Sequence, residues 1–457
     1  MQIATQLSNR CTDNSNGHVL CSRLVMSSRN VDVVVVGAGI SGLAAARTLS
    51  RYGARVCLLE ASRLIGGRLR TLRVHDWPMP IELGAEFVHG EPTTTLALAD
   101  AEGLELKRLQ DRHAILRSGQ LQPLTDVWQR FAKALEPALD VTSAWSLQKF
   151  VEQHELSADE KELVQMLVEG YHAAPLADVS ARAIAEDASA SAAEFHQYRV
   201  GGGYDRVISK ILHELPKERV EIQLGCRVQR VAWRPGEVRL SVEGEREPFE
   251  LTAPRCLASV SVGVLQAGSL QFDPAIEPHR QALKGIGMGH VIKAVLCFEH
   301  PPFGATFDAP RGTDFLHDRE GDFDTLWWQT VGSNHQITLW AGGPKASRLS
   351  PLSKEQLRER ALASAARLLA ADSAHLARDL IGLHSHDFGA DPLTLGAYSY
   401  VRPGNLHAAR LLSLPVANTL FFCGEALDLA YPGTVAGALG SGQHAARQIL
   451  ATLGHAP

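Results

Sequence analysis

The residues in this chain whose types and spacing could do chemistry begin with three glycines. Gly37, Gly39 and Gly42 form G-x-G-x-x-G directly after the β-branched run Val33 to Val36 and directly before a helical stretch, residues 43–52. A second apolar run, residues 54–59, ends on Glu60. Strand, glycine turn, helix, strand and acid within about 30 residues is the βαβ pattern of dinucleotide binding. Gly37 permits the tight turn, Gly39 lets the backbone approach a pyrophosphate, and Gly42 lets the helix pack closely on the strand. The helix N-terminus turns N–H groups towards phosphates, and Glu60 can accept hydrogen bonds from ribose hydroxyls. This pattern does not separate FAD from NAD. Next along the chain, Gly66-Gly67-Arg68 suits a loop folding over a pyrophosphate, with Arg68 supplying charge-assisted bonds. A solvated basic turn is the plainer alternative. Gly84 and Ala85 sit at the centre of the apolar stretch 81–90, where small residues let a flat ring lie against the backbone.

Other side chains stand out by their setting. Lys293 lies inside the apolar strand-like stretch 289–298. A lysine there is costly unless it finds a partner or snorkels to solvent. Tyr398, in the stretch 396–400, reads on its own as a core tyrosine with a satisfied hydroxyl. His384 and His386 form H-x-H, which on a strand puts both imidazoles on one face. No His/Asp cluster supports it and no H-E-x-x-H occurs, so no metal site is expected.

Four separated blocks make the chain resemble the flavin-containing amine oxidase family: monoamine oxidases, polyamine and spermine oxidases, lysine-specific histone demethylases and L-amino-acid oxidases. They are VVVVGAGISGLAAA with LLEASRLIGGRLRT; IELGAEFVHG; LASVSVGVLQ to LQFDP with GMGHVIKAVLCF; and GAYSY with NTLFFCGEALDLAYPGTVAGALGSGQHAA. The resemblance covers residues 31 to about 450. It implies FAD, with Gly37, Gly39, Ser41, Gly42, Glu60, Ala61, Gly67, Arg68, Gly84, Ala85 and Glu86 near it. Val228 would read the adenine through its backbone. Gly424 and Glu425 would reach the ribityl–pyrophosphate region. Thr434 and Val435 would open a helix aimed at the flavin, suited to negative charge on the reduced ring. Lys293 matches the lysine that holds a water at flavin N5, and Tyr398 matches one wall of an aromatic substrate cage; these two are the implied catalytic residues. Thr434 stands where monoamine oxidases carry the second wall, which leaves a half-open cage. His89 matches a histidine near the substrate amine, with a surface-loop histidine as its alternative. Glu86, Glu91, Glu194 and His196 are further amine-facing candidates.

The reaction implied is transfer of hydride from a neutral amine to flavin N5. The imine then hydrolyses, and O2 reoxidises the flavin to give hydrogen peroxide. A free alkylamine resembles lysine, with a pKa of about 10.4, so a dry aromatic pocket is needed to favour the neutral form. Four positions depart from the family. Ala397 replaces the cysteine that monoamine oxidases bind to the flavin, which implies noncovalent FAD. Phe388 replaces a tryptophan, Leu64 an arginine and Ser261 a proline.

The elements that must position these residues imply an α/β fold. A Rossmann-like (GR2-type) FAD-binding domain is expected from residues 30–95, 200–270 and 392–457. A substrate domain of mixed sheet plus helices is expected from 96–199 and 271–391. The first part of the latter is Ala/Leu/Glu-rich and helical in period, and residues 357–380 read as one amphipathic helix. Residues 233–255 read as a hairpin.

Composition sets the outer limits. The chain has 457 residues, 45% hydrophobic and 21% charged, with a net charge of −5. That gives ample material for cores and excludes a mainly disordered chain. The slightly acidic balance argues against nucleic acid. The longest apolar stretch, 33–46, is too short and too interrupted to span a membrane. Seven scattered cysteines without C-x-x-C point to a reducing, cytoplasmic setting. Residues 1–30, with three arginines and one acid, read as a disordered leader without a secretory signal. The chain ends at Pro457 just past the flavin helix, so no membrane tail is expected. The implied partners are a small-molecule amine and O2, with a homodimer left open.

Three functions stay in play. The leading one is an oxidase of polyamines or other extended amines. The second is an L-amino-acid oxidase, which needs a carboxylate clamp; Arg199 and Arg402 are the candidates. The third is a catalytically silent flavoprotein scaffold.

Overall fold

In the computed structural model the described residues are 12–13, 19–20, 31–101, 103–191, 196–245 and 247–454. The expected leader therefore lies outside them, apart from an antiparallel pairing of Thr12–Asp13 with Val19–Leu20.

The βαβ pattern builds a five-stranded parallel sheet. Its order is Val220–Leu224, Val56–Glu60, Val33–Val36, Arg255–Ala258, Leu420–Phe422. The four valines of the central strand explain why it holds both faces. Side chains alternate across a strand, so Val33 and Val35 enter one hydrophobic core while Val34 and Val36 enter another. The first core packs the helices Ile40–Arg51, Asp205–Glu214 and Val435–Leu453. The second packs a four-stranded sheet, Phe249–Ala253, Glu237–Gly244, Cys226–Arg234 and Gln271–Asp273. The 233–255 stretch thus supplies two neighbouring antiparallel pairings.

A seven-stranded sheet runs Gln120–Leu124, His113–Arg117, Phe315–His317, Thr325–Val331, Asn334–Gly342, Val291–Phe298, Leu380–Asp387. Every residue of Val291–Phe298 is buried. Ile292, Ala294, Leu296 and Phe298 face a core shared with the helix Lys354–Leu368. Val295 and Cys297 face the other way, against Ile81 and Leu83. Lys293 shares their parity, which aims it at the flavin-side elements. A bundle of Val127–Leu135, Leu147–Gln153, Ala158–Gln165 and Ala181–Ser191 forms a separate core.

The tertiary structure alters several expectations. The 96–199 stretch is not helical throughout: the hairpin His113–Arg117/Gln120–Leu124 extends the seven-stranded sheet. The single helix expected over 357–380 is two, Lys354–Leu368 and Ser373–Asp379. Ala370 adopts φ 49°, and Asp372 caps the second helix by accepting from His375 N. The cuts at 95/96, 199/200 and 270/271 do not follow sheet edges. Phe87–His89, Gln197–Val200 and Leu106–Arg108 form one sheet, and Gln271–Asp273 pairs with Cys226–Arg234.

Candidate functional site

A large cavity, of about 1100 Å³, runs between the parallel sheet and the seven-stranded sheet. One end is the glycine turn. Gly37, Gly39, Ser41, Glu60, Ala61, Gly67, Arg68 and Val228 line it. Gly39 is the N-cap of Ile40–Arg51, with no side chain capping it. A Cβ built on Gly39 meets nothing within 4 Å, so the backbone there faces open space. Gly42 does not line the cavity. A Cβ on it would collide with the Gly37 carbonyl oxygen, which is the close helix–strand packing its position requires. Burial pushes the Glu60 carboxyl up, against the N–H groups of Ser62 and Ala38, which donate to it at 2.8 and 2.6 Å. This open, uncapped helix terminus with an acid at the end of the next strand fits a dinucleotide such as FAD.

The C-terminal block closes the same end. Arg68 Nη1 lies 2.7 Å from Glu425 Oε1 and donates to the Ala397 carbonyl at 2.8 Å. Glu425 Oε2 accepts from Ser399 Oγ at 2.7 Å and Gly433 N at 3.2 Å. The two charges that resemblance puts near the pyrophosphate therefore hold each other. Gly424, at φ 150°, does not line the cavity; its N–H donates to Ser441. Thr434 is the N-cap of Val435–Leu453: its hydroxyl accepts from Gly437 N and donates to Tyr431 O. Thr434, expected to leave the cage half open, thus has a structural duty. Ser261, in place of the family proline, caps the short helix Val262–Gln266 and donates to Thr394 O at 2.5 Å.

At the other end stand Lys293 and Tyr398. Lys293 is 1% exposed, so it does not snorkel. Its Nζ lies 2.8 Å from Glu86 Oε2, 3.2 Å from the Gly84 carbonyl and 5.4 Å from the Trp327 ring centroid. Glu86 Oε1 accepts from Arg199, Trp327 Nε1 and Gln329 at 3.0, 3.0 and 3.2 Å. Burial alone would raise the Glu86 carboxyl, but Lys293 and Arg199 outweigh it and hold it below the usual range. Both Glu86 oxygens are thus taken up by the protein's own donors, not turned to an amine. Gly84 cannot carry a side chain, because a Cβ would strike the Arg68 carbonyl. The Tyr398 ring lies near-parallel to Trp340, 15° apart, and its hydroxyl donates to the Tyr171 carbonyl. Burial pushes that phenol well up.

His89, at the end of strand Phe87–His89, is half-buried, packs edge-on to Tyr171 and lines the cavity, so it is not a surface-loop histidine; burial pushes its imidazole down to about 4. Phe87, Phe315 and Trp327 form mutual edge and tilted contacts beside it. Glu91 lines the cavity and accepts from Tyr198. His196 instead bonds Arg108, and Glu194 lies outside the described residues. The two clamp candidates are both engaged: Arg199 with Glu86, Arg402 with Asp178. In the H-x-H pair, His386 lies 3.1 Å from Asp391, and no cluster that could hold a metal occurs among the described residues. No described helix is long and apolar enough to cross a membrane.

Sequence reasoning missed the aromatic side chains Trp327, Trp340, Tyr171 and Phe315, and the pair His113–His317. Strand parity could have found Trp327 and Trp340, since both lie on strands of the sheet that carries Lys293.

Comparison with known proteins agrees with this geometry. The chain is 26% identical over 443 residues to lysine-specific histone demethylase 1 homolog 2 of Oryza sativa, covering 92% of this chain and 57% of that protein. It is 26% identical over 465 residues to polyamine oxidase 2 of Arabidopsis thaliana, covering 92% and 88%. The chain thus spans little more than half the length of the demethylase homologues it matches. Among solved structures, wild-type putrescine oxidase bound to putrescine superposes with a TM-score of 0.77 at 21% identity, covering 92% of this chain and 99% of that one. Cyclohexylamine oxidase from Brevibacterium oxydans gives 0.76 at 21%, covering 93% and 100%. At that identity the likeness is one of fold. The sequence model of the flavin-containing amine oxidoreductases matches residues 40–450, most of the chain, and the protein belongs to that family.

Proposed function

We propose that the chain oxidises an amine, with polyamines or other extended amines as its substrate class, to an imine that hydrolyses to a carbonyl compound. The observation that carries this reading is one cavity with a dinucleotide cradle at one end and an aromatic chamber around buried Lys293 and half-buried Tyr398 at the other. FAD, held noncovalently, would supply a two-electron acceptor, with O2 as the final oxidant and hydrogen peroxide as the product. Gly37, Gly39, Ser41, Glu60, Arg68 and Val228 would hold it. Tyr398, Trp340 and Trp327 would orient the amine and exclude water, which favours its neutral form. Lys293, fixed by Glu86, would hold a proton and a water at the buried edge of the chamber.

The lean to extended amines rests on three features. The cavity is large, at about 1100 Å³, Thr434 puts no aromatic ring in the second wall, and Glu91, Glu186, Asp187 and Asp428 line the cavity with negative charge. A cationic chain suits that lining. The similarity to polyamine oxidases points the same way. An L-amino-acid oxidase is disfavoured because neither Arg199 nor Arg402 is available to clamp a carboxylate.

The test is anaerobic flavin bleaching with polyamines, N-acetylated polyamines, short diamines, aryl monoamines, cyclic amines, L-amino acids and a methylated-lysine peptide. O2 is then readmitted and peroxide followed. Bleaching by polyamines ahead of the other classes is expected. Bleaching by the peptide or by amino acids alone would replace the substrate class. No bleaching at all in flavin-loaded protein would reject the activity.

A further inference from the structure

We propose that Asp111, His113, His317 and Thr325 form a proton-conducting chain from the amine end of the cavity to the protein surface. The inference rests on the amine-oxidation reading and adds a route for the proton that such a substrate must lose.

The four side chains are joined end to end. Thr325 Oγ1 lies 3.1 Å from His317 Nδ1, His317 Nε2 lies 2.8 Å from His113 Nδ1, and His113 Nε2 lies 3.2 Å from Asp111 Oδ1. The ring centroids of the two histidines are 5.1 Å apart with 10° between planes. With an N···N distance of 2.8 Å, that places the rings edge to edge, not face to face. The pattern also assigns the tautomers. Asp111 accepts, so His113 carries its proton on Nε2 and accepts at Nδ1. His317 then donates through Nε2 and accepts the Thr325 hydroxyl at Nδ1. All links are satisfied by two neutral imidazoles and one carboxylate. Burial holds His317 well below its ordinary value, in keeping with a neutral ring.

The two ends open in different directions. Thr325, His317 and His113 line the cavity. The Asp111 side chain is 11% exposed, between the exposed residues Gln110 and Arg112. Trp128 Nε1 and Gln197 Nε2 donate to Asp111 at 2.6 and 2.7 Å, which favours its ionised, accepting form.

The need for such a chain follows from the chamber. An alkylamine reaches the protein as an ammonium, with a pKa of about 10.4. The acid nearest Lys293, Glu86, already accepts from four side chains and cannot serve as base. A substrate that fills the cavity also shuts out bulk water. The transfer is balanced: the Thr325 hydroxyl takes a proton from the amine side and gives its own to His317 Nδ1. His317 passes its Nε2 proton to His113, and His113 passes its own to Asp111 and on to solvent. No electron moves and no bond to carbon changes.

The experiment is stopped-flow mixing of flavin-loaded protein with a bleaching amine, without oxygen, in weak buffer with a pH-indicator dye. Flavin bleaching and proton release are read together. In the wild type the two should coincide. In His317→Phe, and in Asp111→Asn, which keeps the side chain's shape, proton release or bleaching should slow at least about tenfold. Added imidazole should restore His317→Phe towards wild type. Wild-type release and bleaching in both variants would overturn the proposal. So would equal slowing of the two signals that imidazole does not restore, which marks a packing role. If no amine bleaches the wild type, the functional reading itself fails and the chain loses its purpose with it.

Discussion

Lys293 and Glu86 form an ion pair of 2.8 Å with both side chains almost wholly out of solvent, at 1% and 2% exposure. They come from different elements, 207 residues apart, so the pair exists only once the seven-stranded sheet meets the flavin-side chain. Its consequence is asymmetry. Losing one partner of a buried pair leaves an uncompensated charge and costs about 3–5 kcal/mol, while replacing both with apolar groups can be nearly neutral. Glu86→Gln should therefore destabilise by that amount. Glu86→Gln/Lys293→Met should recover much of the loss but not the turnover. Denaturant unfolding of the four proteins of a double-mutant cycle, with amine turnover alongside, checks this.

Arg68 and Glu425 link the first and last blocks across the flavin end of the cavity. A charge-assisted hydrogen bond contributes about 1.5–3 kcal/mol. Glu425→Gln should weaken flavin retention by tenfold or more while leaving the far sheet folded. Flavin absorbance per chain after gel filtration, with circular dichroism as the control for folding, measures it.

Gly39 and Gly42, three residues apart, should fail in different ways when changed to alanine. At Gly39 a Cβ enters open cavity, so Gly39→Ala should fold and lose flavin. At Gly42 it meets the Gly37 carbonyl, so Gly42→Ala should lower stability even without flavin. Melting of the flavin-free proteins separates the two. In the parent protein, denaturation should release all the flavin into solution, because Ala397 offers no thiol.

Stability should fall on acidification from pH 7 to pH 5. Burial holds His89 at about 4 and lowers His172, His317 and His279 below 6.5. Each takes up a proton on unfolding in the window between its folded value and about 6.5, so stability is full above that window and declines as pH drops through it. Glu82, raised to about 7 by burial, and Glu60 and Asp324, also raised by burial, act in the opposite sense; His335 and His384, lowered by burial, add to the histidine side. Thermal melts at fixed ionic strength should show the decline, and His89→Gln should reduce its slope. A flat profile would mean that these rings are not neutral in the folded protein.

The sequence by itself determined the local parts, because short-range geometry specifies them. A β-branched run, three glycines at set spacing and an acid after the next strand suffice for a βαβ cradle. The pieces of the remaining blocks, including Lys293 in an apolar strand and Glu425 after Gly424, are equally legible in the linear chain. Hydrogen-bonding partners were not. Lys293, Glu86 and Arg199 each looked available for substrate or cofactor, and only the packing of strands Val291–Phe298 and Gln197–Val200 around the segment before Phe87–His89 showed that Lys293 and Arg199 both bind Glu86. The same holds for His113 and His317, 204 residues apart, each unremarkable in its own segment. Thr434 was legible as the opening of a helix, which it caps, but the bond from its hydroxyl to Tyr431 O was not. The physical reason is common to all of these. Backbone conformation follows from neighbours in sequence, whereas the partner of a buried charge or ring nitrogen is whichever group tertiary packing brings within about 3 Å, and spacing along the chain does not encode that distance.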